Sequence, residues 1–191
     1  KLLNYLDEFQ SLPEEMQDHM LNMHKKVIQK VIYLRNGNNK FYLSKEVTSH
    51  NKMEKILKLY PDAKFIISVR ESAGYMNSLL ELMRLSTKSK TGLDPINIPG
   101  WESAFIKRMK KDSLLLVDLC DNKIDKNNQI HVAFKKFTSN VINSVHYIYS
   151  LLGCTADIQY DQYLKKLEEQ QQKRVKGYVY KYKHYSGFEK F

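Results

Sequence analysis

Apolar residues at 16, 20, 27, 28, 31 and 34 (Met16, Met20, Val27, Ile28, Val31, Leu34) recur at helical spacing and predict a long amphipathic helix from 12 to about 35. Ser11-Leu12-Pro13-Glu14 has capping-box spacing at its start, and Asn36-Gly37-Asn38 supplies its stop. Phe41 to Ser44 reads as a short strand. Residues 52–60 read as a helix with Met53, Ile56, Leu57 and Tyr60 inward, halted by Pro61. The run FIISV at 65–69 has the continuous apolar character of a strand buried on both faces of a parallel sheet. A helix over 74–85 follows, and the two strands with the short helix between them make a βαβ unit. The polar stretch 86–100, with Gly92, Pro95, Pro99 and Gly100, predicts a long mobile loop. Beyond it come a helix over 101–119, a strand at 129–134, a helix over 141–152 closed by Gly153, and a charged helix over 162–176. No repeat and no linker divides the chain, so the expectation is one α/β domain over 1–191.

Composition narrows the class. A chain of 191 residues is long enough for a hydrophobic core, and 42% hydrophobic with 27% charged residues is ordinary for a globular domain. No apolar run approaches the roughly 20 residues of a membrane helix. The net charge of +10 invites a nucleic-acid reading, yet the lysines are scattered and no recognition motif accompanies them. An enzyme whose ligand carries several phosphate or sulfate charges fits the same excess. Cys120 and Cys154 form neither a disulfide framework nor a C-x-x-C pair, and no N-x-S/T acceptor is present. The cysteine usage favours a reducing, cytoplasmic setting, or the Golgi lumen if an N-terminal anchor precedes Lys1.

The chemistry concentrates around Arg70, delivered at the carboxyl end of the 65–69 strand just before a helix. Ligands of open α/β sheets gather at that end of the strands. A guanidinium beside a helix start suits a phosphate, and Ser78 adds a neutral donor farther along the helix. The lead-in Tyr60-Pro61-Asp62-Ala63-Lys64-Phe65, with Arg70 and then Ser78 eight residues on, resembles the sulfotransferases that use 3′-phosphoadenosine 5′-phosphosulfate. The resemblance implies that Arg70 and Ser78 bind the 3′-phosphate of that donor. It also implies an α/β fold with a P-loop-NTPase-like parallel sheet flanked by helices and extra C-terminal helices.

Further matches are looser. Leu43-Ser44-Lys45-Glu46-Val47 is similar to the family phrase L-x-K-x-P, which makes Lys45 the cation for the transferring sulfuryl group. Val47 replaces both the usual Pro and the His base of cytosolic members, leaving Glu46 and His50 as nearby candidates for a catalytic base. Residues 131–153 resemble a family strand and helix in which a Tyr reaches the adenine. That Tyr is Phe134 in this chain, able to pack on a base but not to hydrogen-bond it. Lys176, in the phrase Arg174-Val175-Lys176-Gly177, resembles a basic-glycine phrase that closes over the 3′-phosphate in some members, and Lys183, in the basic aromatic tail, is a further implied cofactor contact. The glycine-rich loop that holds the phosphosulfate in relatives has no counterpart, so the domain is expected to be incomplete at its N-terminus. The function implied is sulfuryl transfer to a hydroxyl or amine of a small-molecule, saccharide or lipid acceptor, without a metal. A non-catalytic module that binds a nucleotide or a partner is the alternative. A nucleotide kinase would need a Walker-type loop that the chain does not contain, and nucleic-acid binding lacks a motif.

Overall fold

Helices dominate the computed structural model, which describes residues 8–37, 41–46 and 49–177. In chain order the elements are α1 (Glu8–Ser11), α2 (Glu14–Leu34), α3 (Met53–Leu59), β1 (Phe65–Val69), α4 (Ser72–Thr91) and α5 (Trp101–Asp118). They continue with β2 (Gln129–Ala133), α6 (Phe134–Ser139), α7 (Val141–Leu151) and α8 (Ile158–Gly177). The residues group into two compact units: 1–63 with 110–125, and 64–109 with 126–191.

In the first unit, Pro13 precedes α2, and Glu14 and Glu15 in its first turn complement the positive end of the helix dipole. The helix ends through Arg35 and Asn36, whose φ of 48° turns the chain, and the Gly37 N–H donates to the Ile32 carbonyl at 2.8 Å. Lys55 of α3 donates to Asp18 at 2.6 Å and to Glu14 at 3.2 Å, tying α3 to α2. The Asp18 carboxylate holds the Lys55 ammonium above its usual range. The buried hydrophobic residues among those described in this unit are Phe9, Leu21, Ile28, Met53, Leu119, Cys120 and Ile124. The last three belong to or follow a π turn, Leu119–Lys123, which the Ile124 N–H closes onto the Leu119 carbonyl. Phe41–Ser44 is not a strand. Residues 41–46 are exposed and carry no ladder, since β propensity without a neighbouring strand leaves the backbone groups to water.

The second unit holds the sheet. β1 and β2 run parallel, with Phe65 opposite Gln129 through Val69 opposite Ala133. Just before their amino ends, Lys64 Nζ donates to the Asn127 carbonyl at 2.6 Å. β2 is the buried strand, with Gln129, Ile130 and Val132 all inside, and Ile130 and Val132 pack with Ile148, Phe137 and Leu152. The expectation that β1 is buried on both faces is corrected: Ile66, Ser68 and Val69 are exposed, and Phe65 and Ile67 half-buried. Among the described residues β1 is paired on one side only, so its apolar run lacks the flanking strand that such burial requires.

The mobile loop expected at 86–100 is also corrected. α4 continues through Ser86–Lys90 to Thr91 and ends at Gly92, whose φ of 73° is the left-handed cap that favours glycine. Asp94 then accepts from Arg84 Nε at 2.8 Å and Nη2 at 2.6 Å while capping the 3-10 turn Pro95–Asn97 through the Ile96 N–H. Pro95 is fully buried. The Arg84 guanidinium holds the Asp94 carboxyl well below the usual carboxylate range. At the far end, Glu168 of α8 accepts the Val141 N–H at the start of α7 at 2.9 Å, and Tyr149 stacks on Tyr160 with centroids 5.6 Å apart. Among the described residues, no helix is long and apolar enough to cross a membrane.

Candidate functional site

Both parallel strands deliver a side chain to their carboxyl ends, and these two meet. Arg70 follows β1, Phe134 follows β2, and the Arg70 guanidinium carbon lies 4.9 Å from the centroid of the Phe134 ring. The parallel register explains the meeting, because the last paired residues, Val69 and Ala133, immediately precede them. Phe134 was expected as the last residue of the strand. It opens α6 instead, and its ring is 39% exposed beside the half-buried Arg70. A guanidinium over an aromatic face is attracted by the ring quadrupole and keeps its donors free at the edge.

The start of α4 completes this corner. Glu71 is its N-cap, and its carboxylate accepts the Ala73 and Gly74 N–H groups at 2.8 Å each. The Arg70 guanidinium lies against Gly74: a Cβ built there would stand 3.6 Å from Arg70 Nη2, 3.8 Å from Nε and 2.9 Å from Glu71 Oε2. Glycine thus lets a cation and a carboxylate approach the helix start together. Ser78 is half-buried on α4, four residues beyond Gly74 and so on the same helical face one turn along. Arg70, Phe134, Gly74 and Ser78 therefore share one unit of the molecule, and their arrangement offers a fixed cation, an aromatic face and a hydroxyl. A phosphate joined to a flat heterocycle matches that set chemically.

The other sequence candidates lie apart from this description. Lys45 is exposed in the first unit, within the irregular segment 41–46. Glu46 beside it accepts from Lys52 Nζ at 2.6 Å. His50, in the 3-10 turn Ser49–Lys52, faces Asp112 with Nε2 3.5 Å from Oδ1. Lys176 lies near the end of α8, and Lys183 falls outside the described residues, as do Val47 and the rest of the tail. Among the described residues no cluster of three or more His, Cys, Asp or Glu side chains is placed to hold a metal ion.

Sequence reasoning missed Glu71 and Gly74. The helix was read as starting at Gly74, and Glu is not among the residue types that most often announce an N-cap. A better signal was the acid next to Arg70, directly before a helix-forming run.

A family model described as a sulfotransferase family matches residues 5–170. No curated protein and no solved structure matches the chain.

Proposed function

We propose, from the premise that the chain belongs to the sulfotransferase family, that it takes part in sulfuryl transfer from 3′-phosphoadenosine 5′-phosphosulfate to a hydroxyl or amine acceptor. In this proposal Arg70 and Ser78 grip the 3′-phosphate, and Phe134 packs against the adenine. Lys45 serves as the cation that offsets charge on the transferred group. When bound, the donor supplies an activated sulfur; the protein contributes positioning and electrostatic complementarity rather than a covalent nucleophile. The acceptor must also lose a proton. Glu46 and His50 are the proposed bases, although Glu46 is paired with Lys52 and His50 faces Asp112. The acceptor is proposed as a small molecule, a saccharide or a lipid.

The observation that carries the proposal is the Arg70 guanidinium stacked on Phe134 at the carboxyl ends of both strands. A permanently charged fork fixed beside an aromatic plane suits one ligand that has both a phosphate and a purine. Isothermal calorimetry with 3′-phosphoadenosine 5′-phosphate tests it. Charge-assisted hydrogen bonds contribute ~1.5–3 kcal/mol. Arg70→Ala is therefore expected to weaken binding by about 10- to 150-fold. Equal affinity in parent and variant would show that Arg70 does not hold the nucleotide.

A further inference from the structure

Two opposite charges are neighbours at the start of α4. A Cβ on Gly74 would stand 3.6 Å from Arg70 Nη2, 3.8 Å from Arg70 Nε and 2.9 Å from Glu71 Oε2. The glycine therefore leaves one gap bordered by an edge of the cation and by a carboxylate oxygen. Phe134 lies against the guanidinium, so the donors that a ligand can use are those at its edges. Glu71, Gly74 and Ser78 are spaced three and four residues apart and share one face of α4, which Glu71 heads. An anion held by Arg70 and Ser78 together lies along that face.

The carboxylate is not free to turn away from such an anion. Its Oε1 accepts from the Ala73 N–H and its Oε2 from the Gly74 N–H, at 2.8 Å each. Two short bonds to a charged acceptor fix the negative charge beside the cation. The helix start offsets part of that charge and solvent screens more of it, since Glu71 is exposed.

We propose that Glu71 is a specificity-determining residue: a fixed negative charge that weakens the hold of this corner on a nucleotide 3′-phosphate. The inference rests on the reading of Arg70 and Ser78 as the 3′-phosphate grip. In sulfuryl transfer the bond between sulfur and the 5′-phosphate oxygen breaks. The acceptor oxygen or nitrogen bonds the sulfur and gives up its proton to a base. The 3′-phosphate takes no part, so donor and product carry it alike and Glu71 weakens both equally. Uniform weakening of this kind leaves the chemical step unchanged and lets the spent bisphosphate leave sooner.

Isothermal calorimetry with 3′-phosphoadenosine 5′-phosphate and with adenosine 5′-phosphate tests the proposal, because the ratio of the two affinities reports what the 3′-phosphate contributes. Glu71→Gln removes the charge. Glu71→Ser also removes it and supplies a hydroxyl of the kind preferred at helix N-caps. Both variants are expected to tighten the bisphosphate about 3- to 10-fold, the effect of one unit charge a few Å away in a water-like medium. The monophosphate should bind as it does to the parent. Glu71→Asp keeps the charge and should keep the parent's ratio. In stopped-flow displacement the gain should appear as slower dissociation. Urea unfolding checks that each variant folds, and the serine variant decides should glutamine not fold. Neutral variants whose ratio equals or falls below the parent's overturn the proposal, while the grip stands if Arg70→Ala still lowers that ratio. Equal tightening of both nucleotides, or a gain wholly in association rate, overturns it too. A parent that binds the two nucleotides equally overturns the grip and this inference together.

Discussion

The contact between Arg70 and Phe134 sets a measurable energy. Its 4.9 Å separation is well inside the ~6 Å range of a cation–π contact, and the ring is 39% exposed. That exposure falls between an open surface pair and a fully desolvated one, so the expected coupling is ~1 kcal/mol. A double-mutant cycle isolates it: parent, Arg70→Gln, Phe134→Leu and the double variant, each unfolded in urea. Leucine keeps an apolar side chain on α6 without a ring quadrupole, and glutamine, though shorter, keeps a planar polar end without charge. The two single losses should exceed the double loss by about the coupling. The same cycle read by calorimetry with 3′-phosphoadenosine 5′-phosphate gives a second value. Phe134→Leu should weaken binding about fivefold through a less fixed guanidinium, far less than Arg70→Ala does. A stability coupling below ~0.3 kcal/mol, within the additivity of independent sites, would refute the idea that the ring positions the cation.

Glu71→Ala should destabilise the protein by ~1 kcal/mol in urea unfolding, the usual cost of a lost N-cap, while Glu71→Asp should lose less; equal loss would show that the carboxylate is not the capping group. Leu80 on α4 is fully buried. Leu80→Ala should therefore cost ~2–5 kcal/mol as a cavity opens, and a loss under ~1 kcal/mol would mean the site collapses freely. The depressed Asp94 carboxyl gives stability that is present above its unfolded value, about 3.9, and is lost as pH falls through the lower folded value. Asp94→Asn should accordingly flatten the fall of melting temperature with acid below about pH 4, and an unchanged acid limb would contradict the ion pair.

The helices were legible where one face is apolar. The repeat from Met16 to Leu34 located α2 within two residues of its observed ends, and the apolar run from Val141 closed by Gly153 located α7. Periodicity gave the helix but not its environment: the stripe that announced α2 turned out to be largely its exposed face. Ser86–Lys90 resembled a loop because its residues are polar, yet the helix runs on past Arg84, which Asp94 holds from beyond the helix end, to its glycine cap. Phe41–Ser44 had strand residues but no strand to pair with, a fact that propensity does not carry. Of the site, the positions of Arg70 and Ser78 on a strand end and a helix followed from local spacing. The encounter with Phe134 did not, since it depends on the register of two strands far apart in sequence.

The carboxylate that caps α4 has a further consequence for ion selectivity. Glu71 is tethered two and three residues from the N–H groups it occupies, so its effective concentration there far exceeds that of any dissolved monoanion. Chloride or acetate from a buffer is a poor competitor for those donors. The proposed phosphate ligand would therefore have to be held by side chains rather than by those two backbone donors. The corner thus carries its own counter-ion, a carboxylate built into the chain next to Arg70 and seated on the first donors of the helix.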